Sequence, residues 1–104
     1  MSNTLVILFV GPPTIKDAPT EVMAKKGEKV SLRVTVSGSP QPESDWYKDD
    51  DPVEESSRVK ITEGADYTAL EISDVRPEDG GVYTCAISNA GGEDECDIKL
   101  TIEG

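Results

Sequence analysis

Val30, Leu32, Val34 and Val36 stand two residues apart, with Ser31, Arg33 and Thr35 between them. Side chains of an extended chain point to its two faces in turn, so this spacing predicts a strand with one apolar face and one wet face. The pattern recurs. RVKI (Arg58 to Ile61) and YTALEI (Tyr67 to Ile72) alternate on either side of the turn signal Glu63-Gly64-Ala65-Asp66, with Leu70 on the apolar face of the second. VYTCAIS (Val82 to Ser88) alternates again, and Asn89-Ala90-Gly91-Gly92 then supplies residues that tolerate positive φ, marking a hairpin. CDIKLTI sets Cys96, Ile98, Leu100 and Ile102 on one face. GSPQP (Gly38 to Pro42) reads as a stiff extended turn, because proline fixes φ and restricts the residue before it. DWYK follows as a strand carrying Trp46, and KDDDPVEESS (Lys48 to Ser57) is a polar loop with room for a short edge strand. Helical periodicity is nearly absent. About seven short strands, with turn signals every eight to twelve residues, predict an all-β fold: a two-sheet antiparallel sandwich.

The first ten residues stand apart from this pattern. LVILFV (Leu5 to Val10) reads as an edge strand, as part of an interdomain linker, or as a segment appended outside the fold. Left exposed it would invite aggregation, so it is expected to pair with something. The expected organisation is residues 1–10 as an N-terminal extension or linker strand and residues 11–104 as one domain, a size that suits a single core.

Charge narrows the function classes. Ten lysines and arginines face 21 acids, a formal net charge of −11. Nucleic acid and anionic membrane surfaces both call for a basic face, so neither is an expected partner. The acidity fits simple solubility, or a docking surface for a basic partner. There is no histidine, which removes the commonest general base and the commonest transition-metal ligand together. Two cysteines do not make a four-ligand zinc site without other soft donors. The six-residue apolar run is too short to span a bilayer, and it lacks the basic flank and cleavage pattern of a signal peptide. No Asn-x-Ser/Thr glycosylation site occurs.

Catalytic motifs are absent as well. Neither a G-x-S-x-G elbow nor a phosphate loop is present, and Gly91-Gly92 lacks a strand–helix context. Asp49-Asp50-Asp51, Glu54-Glu55 and Glu93-Asp94-Glu95 are expected in loops open to water, where nothing raises a carboxyl pKa for acid–base work. The three aspartates offer hard oxygens to calcium, but their spacing matches no EF-hand. No catalytic residue, cofactor or metal is therefore expected, although the domain could belong to a larger kinase-containing protein.

Taken together, the strings GPPTIKDAP, GEKVSLRVTVSGSPQPESDWYKDDDP, SRVKI and YTALEISDVRPEDGGVYTCAISNAGGE, with LTI beyond them, carry a resemblance. Over about nine-tenths of its length the chain resembles immunoglobulin domains of the intermediate set (I-set). Domains of this type occur in titin and twitchin, myosin-binding protein C and myosin light-chain kinase (telokin). The resemblance implies a Greek-key sandwich with Trp46 packed inward and Tyr83 as the tyrosine corner. It further implies that Asp79 fixes the turn before the tyrosine strand and pairs with Arg58 across the base of the sandwich.

In the resembled family the second strand usually carries the cysteine that bridges to the position of Cys85; here that place holds Val34. Losing such a bridge typically costs about 2–5 kcal/mol. A reducing cytosol would not maintain it in any case, and domains of the muscle giants similarly often lack it. If the hairpin is centred between Ala90 and Gly91, Cys96 faces Cys85 across adjacent strands, either as two buried thiols or as a poorly disposed disulfide on oxidation. Ser44 departs from the family too, standing where an apolar residue is usual. The expected function is a structural and protein-docking module of a large intracellular muscle or cytoskeletal protein, cytoplasmic or sarcomeric. Its expected partners are neighbouring immunoglobulin or fibronectin-like domains, or myosin or actin-associated proteins. The alternatives are an extracellular adhesion or receptor domain, and a regulator that presents its acidic surface as a decoy for a basic sequence.

Overall fold

The computed structural model describes residues 11–103. Nine strands follow in chain order: β1 (Gly11–Asp17), β2 (Glu21–Lys25), β3 (Val30–Ser39), β4 (Glu43–Lys48), β5 (Asp51–Pro52), β6 (Val59–Glu63), β7 (Tyr67–Ile72), β8 (Gly81–Asn89) and β9 (Gly92–Glu103). A short 3-10 turn at Pro77–Asp79 precedes β8. They form a four-stranded sheet in the order β1-β3-β7-β6 and a five-stranded sheet in the order β2-β9-β8-β4-β5.

The alternating positions turn inward from both sheets. Leu32, Val34, Leu70 and Ile72 come from the first sheet and Trp46, Tyr83, Cys85, Ile87, Ile98 and Leu100 from the second, all within one core cluster and none more than 3% exposed. Two of the hairpins owe their shape to their turn residues. Asp49 and Asp50 both take positive φ, 48° and 73°, as a two-residue turn between twisted strands requires, and short polar aspartate tolerates that conformation. At the other hairpin Asn89 pairs with Gly92, which sets Cys85 directly opposite Cys96.

The structure adds two strands and one orientation to the sequence pattern. β1 and β2 alternate poorly. Pro12 and Pro13 donate no ladder hydrogen bond and coincide with a shift in the β1–β3 register. After β1 the chain crosses to the other sheet through Ala18, Pro19 and Thr20, and β2 then pairs with β9 in parallel, in register from Glu21–Lys99 to Lys25–Glu103. The second sheet is therefore mixed rather than wholly antiparallel. The expectation for LVILFV falls outside the described residues.

Because Leu70 is fully buried between the sheets, Leu70→Ala should destabilise the fold by about 2–5 kcal/mol, through lost transfer energy and an unfilled cavity. Urea denaturation measures this as a fall in midpoint at unchanged slope.

Candidate functional site

The candidate functional features are the links between the two sheets and the charged faces outside them. The central link is polar. Trp46 on β4 donates its indole N–H to Thr68 Oγ1 on β7, 3.0 Å away across the core. The Thr68 hydroxyl lies 2.8 Å from Ser44 Oγ, and Ser44 donates to Glu63 Oε1 on β6. An indole N–H only donates and a carboxylate accepts, so the protons run one way, from Trp46 to Thr68 to Ser44 to Glu63. Among the described residues no buried side-chain nitrogen or oxygen lacks a partner. Ser44, anomalous by family resemblance, sits in the middle of this chain. Thr68, only 2% exposed, is its hub, and the sequence reading passed over it.

Val34 is the cross-strand partner of Thr68, while Trp46, Cys85 and Cys96 lie side by side on the facing sheet. Valine thus fills the layer of the core where Trp46 packs. Cys85 and Cys96 are free thiols, the first buried and the second half-buried. Burial, reinforced by neighbouring Cys96, pushes the Cys85 thiol up to about 12. Burial and the charge of Asp97 raise Cys96 as well. Both are protonated near neutral pH and are poor nucleophiles in the folded chain.

A second link closes the base. The Arg58 guanidinium spans Asp79 with N–O distances of 3.0 and 3.3 Å and also donates to the carbonyls of Ser73 and Asp74. Asp79 accepts from the Arg76 backbone N–H at 2.8 Å, and the Tyr83 hydroxyl donates to the Asp79 carbonyl at 2.6 Å. Burial alone pushes the Asp79 carboxyl up. The hydrogen bonds from Arg58 and Arg76, with the charges of Arg58 and Lys48, outweigh it and hold the group below its ordinary value. Tyr83 moves the other way: burial, then the charges of Asp79 and Asp49, keep its hydroxyl protonated and able to donate.

The acidic strings do not all lie where composition suggests. Glu54 and Glu55 are in the loop before β6, but Glu93, Asp94 and Glu95 are strand residues of β9. The turn is only two residues long and Gly92 already pairs with Asn89, so the ladder begins before the acids do. Asp94 accepts the Ile15 backbone N–H at 3.0 Å, and Asp49 accepts that of Val82 at 3.1 Å. Gly81 makes room for the second contact, since a Cβ there would stand 2.8 Å from the Asp49 carboxylate. Asp50 and Asp51 extend this acidic corner, and among the described residues no three acidic or thiol groups converge to hold a metal.

Two sheets in this strand order, with a tryptophan and a corner tyrosine in the shared core, define an immunoglobulin-like sandwich. Residues 13–102 match the immunoglobulin I-set domain model, and the chain belongs to that family. It is 30% identical over 93 residues to smooth-muscle myosin light chain kinase of Gallus gallus, covering 89% of this chain and 5% of the kinase. It is 38% identical to the muscle M-line assembly protein unc-89 of Caenorhabditis elegans, covering 88% of this chain and 1% of that protein. Identity to hemicentin-1 of Mus musculus is 42%, covering 88% of this chain and 2% of the relative. The chain thus spans a small fraction of these relatives. Among solved structures, titin domain M7 superposes with a TM-score of 0.87 at 26% identity, covering 92% of this chain and 98% of M7. A chain from the titin M10–obscurin-like 1 immunoglobulin complex superposes with a TM-score of 0.85 at 28% identity, covering 89% and 95%.

Thr68→Val keeps the shape but strands the indole donor, and should cost about 1–3 kcal/mol in denaturant unfolding. The same change should cost less in a Trp46→Phe background, where the donor is already gone. The Asp79 link predicts a pH signature. The folded carboxyl binds its proton less readily than the unfolded one, so its contribution is present above the ordinary carboxyl value of about 3.9. It is lost as pH falls through the lower folded value. The gap in melting temperature between the parent chain and Asp79→Asn should be full at neutral pH and shrink steadily in acid.

Proposed function

We propose that this domain is a structural and protein-docking module of a larger intracellular muscle or cytoskeletal protein. The observation that carries the reading is the valine-filled core. The two sheets are joined by the Trp46–Thr68 hydrogen bond and apolar packing at the layer where the resembled family usually places a bridge. Such a design holds in a reducing compartment, where an inter-sheet disulfide would not persist. Similarity to a smooth-muscle kinase, an M-line assembly protein and titin domains supports the same setting. The titin M10–obscurin-like 1 neighbour supports other immunoglobulin-type domains as partners.

The topology also suits a load-bearing spacer. β2, near the start of the described chain, and β9, at its end, run in parallel through five registered residue pairs. Tension between the two ends loads those backbone hydrogen bonds together in shear rather than opening them one at a time. No side-chain arrangement in the described residues calls for a catalytic role, and the module acts by holding and binding.

Similarity to the cell adhesion molecule DSCAM of Gallus gallus favours a second reading, an extracellular adhesion domain. An antibody to this chain should label permeabilised muscle of the source organism in a transverse repeat and leave intact cells unstained. Staining of intact cell surfaces would replace the intracellular reading with the adhesion one.

A further inference from the structure

The outer face of the five-stranded sheet has a shape that alternation alone does not reveal. β8 runs between β4 and β9 and presents small side chains, Thr84, Ala86 and Ser88, to solvent. Carboxylates flank it on both sides. Glu43 and Glu93 stand on either side of Ser88, and Asp45 and Glu95 on either side of Ala86. Tyr47 and Asp97 flank Thr84 in the same way. The result is a trough with a low floor and two acidic rails. Its rails are two strand spacings apart, about 10 Å, and its acids repeat every second residue, about 6.8 Å. Three adjoining depressions of about 450, 330 and 450 Å³ run along it, the middle one sharing Tyr47 and Ala86 with one neighbour and Thr84 and Asp50 with the other.

Among the described residues the acids of the rails form no ion pair of their own, although Lys99 follows Asp97 on the outer side of β9. The ion pairs among the described residues are Lys29–Glu71, Arg58–Asp79 and Arg76–Asp74, all away from this face. The opposite sheet differs in kind. Its outer face mixes Arg33 and Lys60 with Glu71, and Arg33 stacks 4.1 Å over the Tyr67 ring. Negative charge is therefore segregated on one side of the molecule, where like charges repel and weaken the fold unless something covers them. A compact cation does not fit, because the carboxylates lie in lines and no three converge. A cation spread along a line does.

We propose that this trough docks an extended basic segment of a partner protein, lying along β8 with lysine or arginine at every second position. An extended chain has the same two-residue repeat as the rails, so its alternate side chains meet successive carboxylates while the intervening ones point away. Tyr47, which lines two of the depressions, adds an aromatic ring on which an arginine of the segment can stack. The proposal rests on the docking-module reading and names the surface and the partner chemistry.

The test is calorimetric titration at low salt with a short peptide of alternating lysine and threonine. A second peptide of the same composition, with its lysines grouped, is the comparison. The alternating peptide should bind more tightly than the grouped one, and its affinity should fall steeply with salt. Glu93→Gln/Glu95→Gln/Asp97→Asn should weaken it about tenfold or more, three exposed charge contacts together. Glu71→Gln on the other face should leave it unchanged, with amide NMR shifts on binding confined to β4, β8 and β9. Equal affinity for both peptides, undiminished binding by the triple variant, or shifts centred on the other sheet would overturn the proposal. Thermal melts establish that each variant is folded. Any of those failures leaves the intracellular module reading intact, since that stands or falls on the location of the chain.

Discussion

A tryptophan packed at the centre of a sandwich has one polar atom to satisfy, and where its acceptor lies decides what the residue does. Here the acceptor, Thr68 Oγ1, belongs to the opposite sheet, so satisfying the indole also ties the layers together. A buried N–H without a partner costs about 1–3 kcal/mol, so sliding the sheets apart at this layer carries that penalty besides the loss of apolar contact. Thr68 meets its own obligation through Ser44, and Ser44 through Glu63 at the sheet margin, where water solvates the carboxylate. The chain of donors leads from the dry core to the surface without leaving a gap. Direction comes from the hydrogen bonds and strength from the leucines, isoleucines and valines around them.

The other links occupy the remaining edges. On the β1 side the polypeptide itself crosses from one sheet to the other between β1 and β2, so that margin is closed covalently. On the far side the Trp46–Thr68–Ser44–Glu63 chain spans β4, β7 and β6, and Arg58 with Asp79 closes the base of the same margin. Tyr83 then fixes Asp79 from within the core through the carbonyl of that residue, so the carboxylate that grips Arg58 is held at both its backbone and its side chain. The one edge the chain does not close by itself is thus closed by polar contacts, and a bridge between Cys85 and position 34 is not needed to define the register.

The fold was legible because its inward residues are apolar and two apart. Val30 to Val36, Tyr67 to Ile72 and Cys96 to Ile102 read as strands from that spacing alone, and the structure places them in β3, β7 and β9. β2 was not legible: EVMAK owes its strand to pairing with β9, a long-range partner that leaves little local mark. The polar chain was invisible for a related reason. Thr68 looks like any strand threonine, and only the crossing of two sheets shows that its hydroxyl faces an indole. Glu93, Asp94 and Glu95 read as a solvated loop because three acids in a row resemble one, yet a two-residue turn delivers them straight into the ladder.

The placement of these acids on a strand bears on how the molecule divides its work. A run of acids in a loop can splay apart and dilute its charge, whereas the same acids on a strand are held at fixed spacing on a rigid plane. Glu93 and Glu95 point outward from one edge of β8 while Glu43 and Asp45 do so from the other, and the small residues between them leave the charges uncovered. The positions that would most easily have carried compensating lysines carry Thr84, Ala86 and Ser88 instead. The fold tolerates this because its stability is decided on the opposite surface of the same strands, where Tyr83, Cys85 and Ile87 are buried. Alternation along β8 thus separates two tasks within one strand: the odd-numbered residues hold the sandwich, and the even-numbered ones leave a charged face free to meet another molecule.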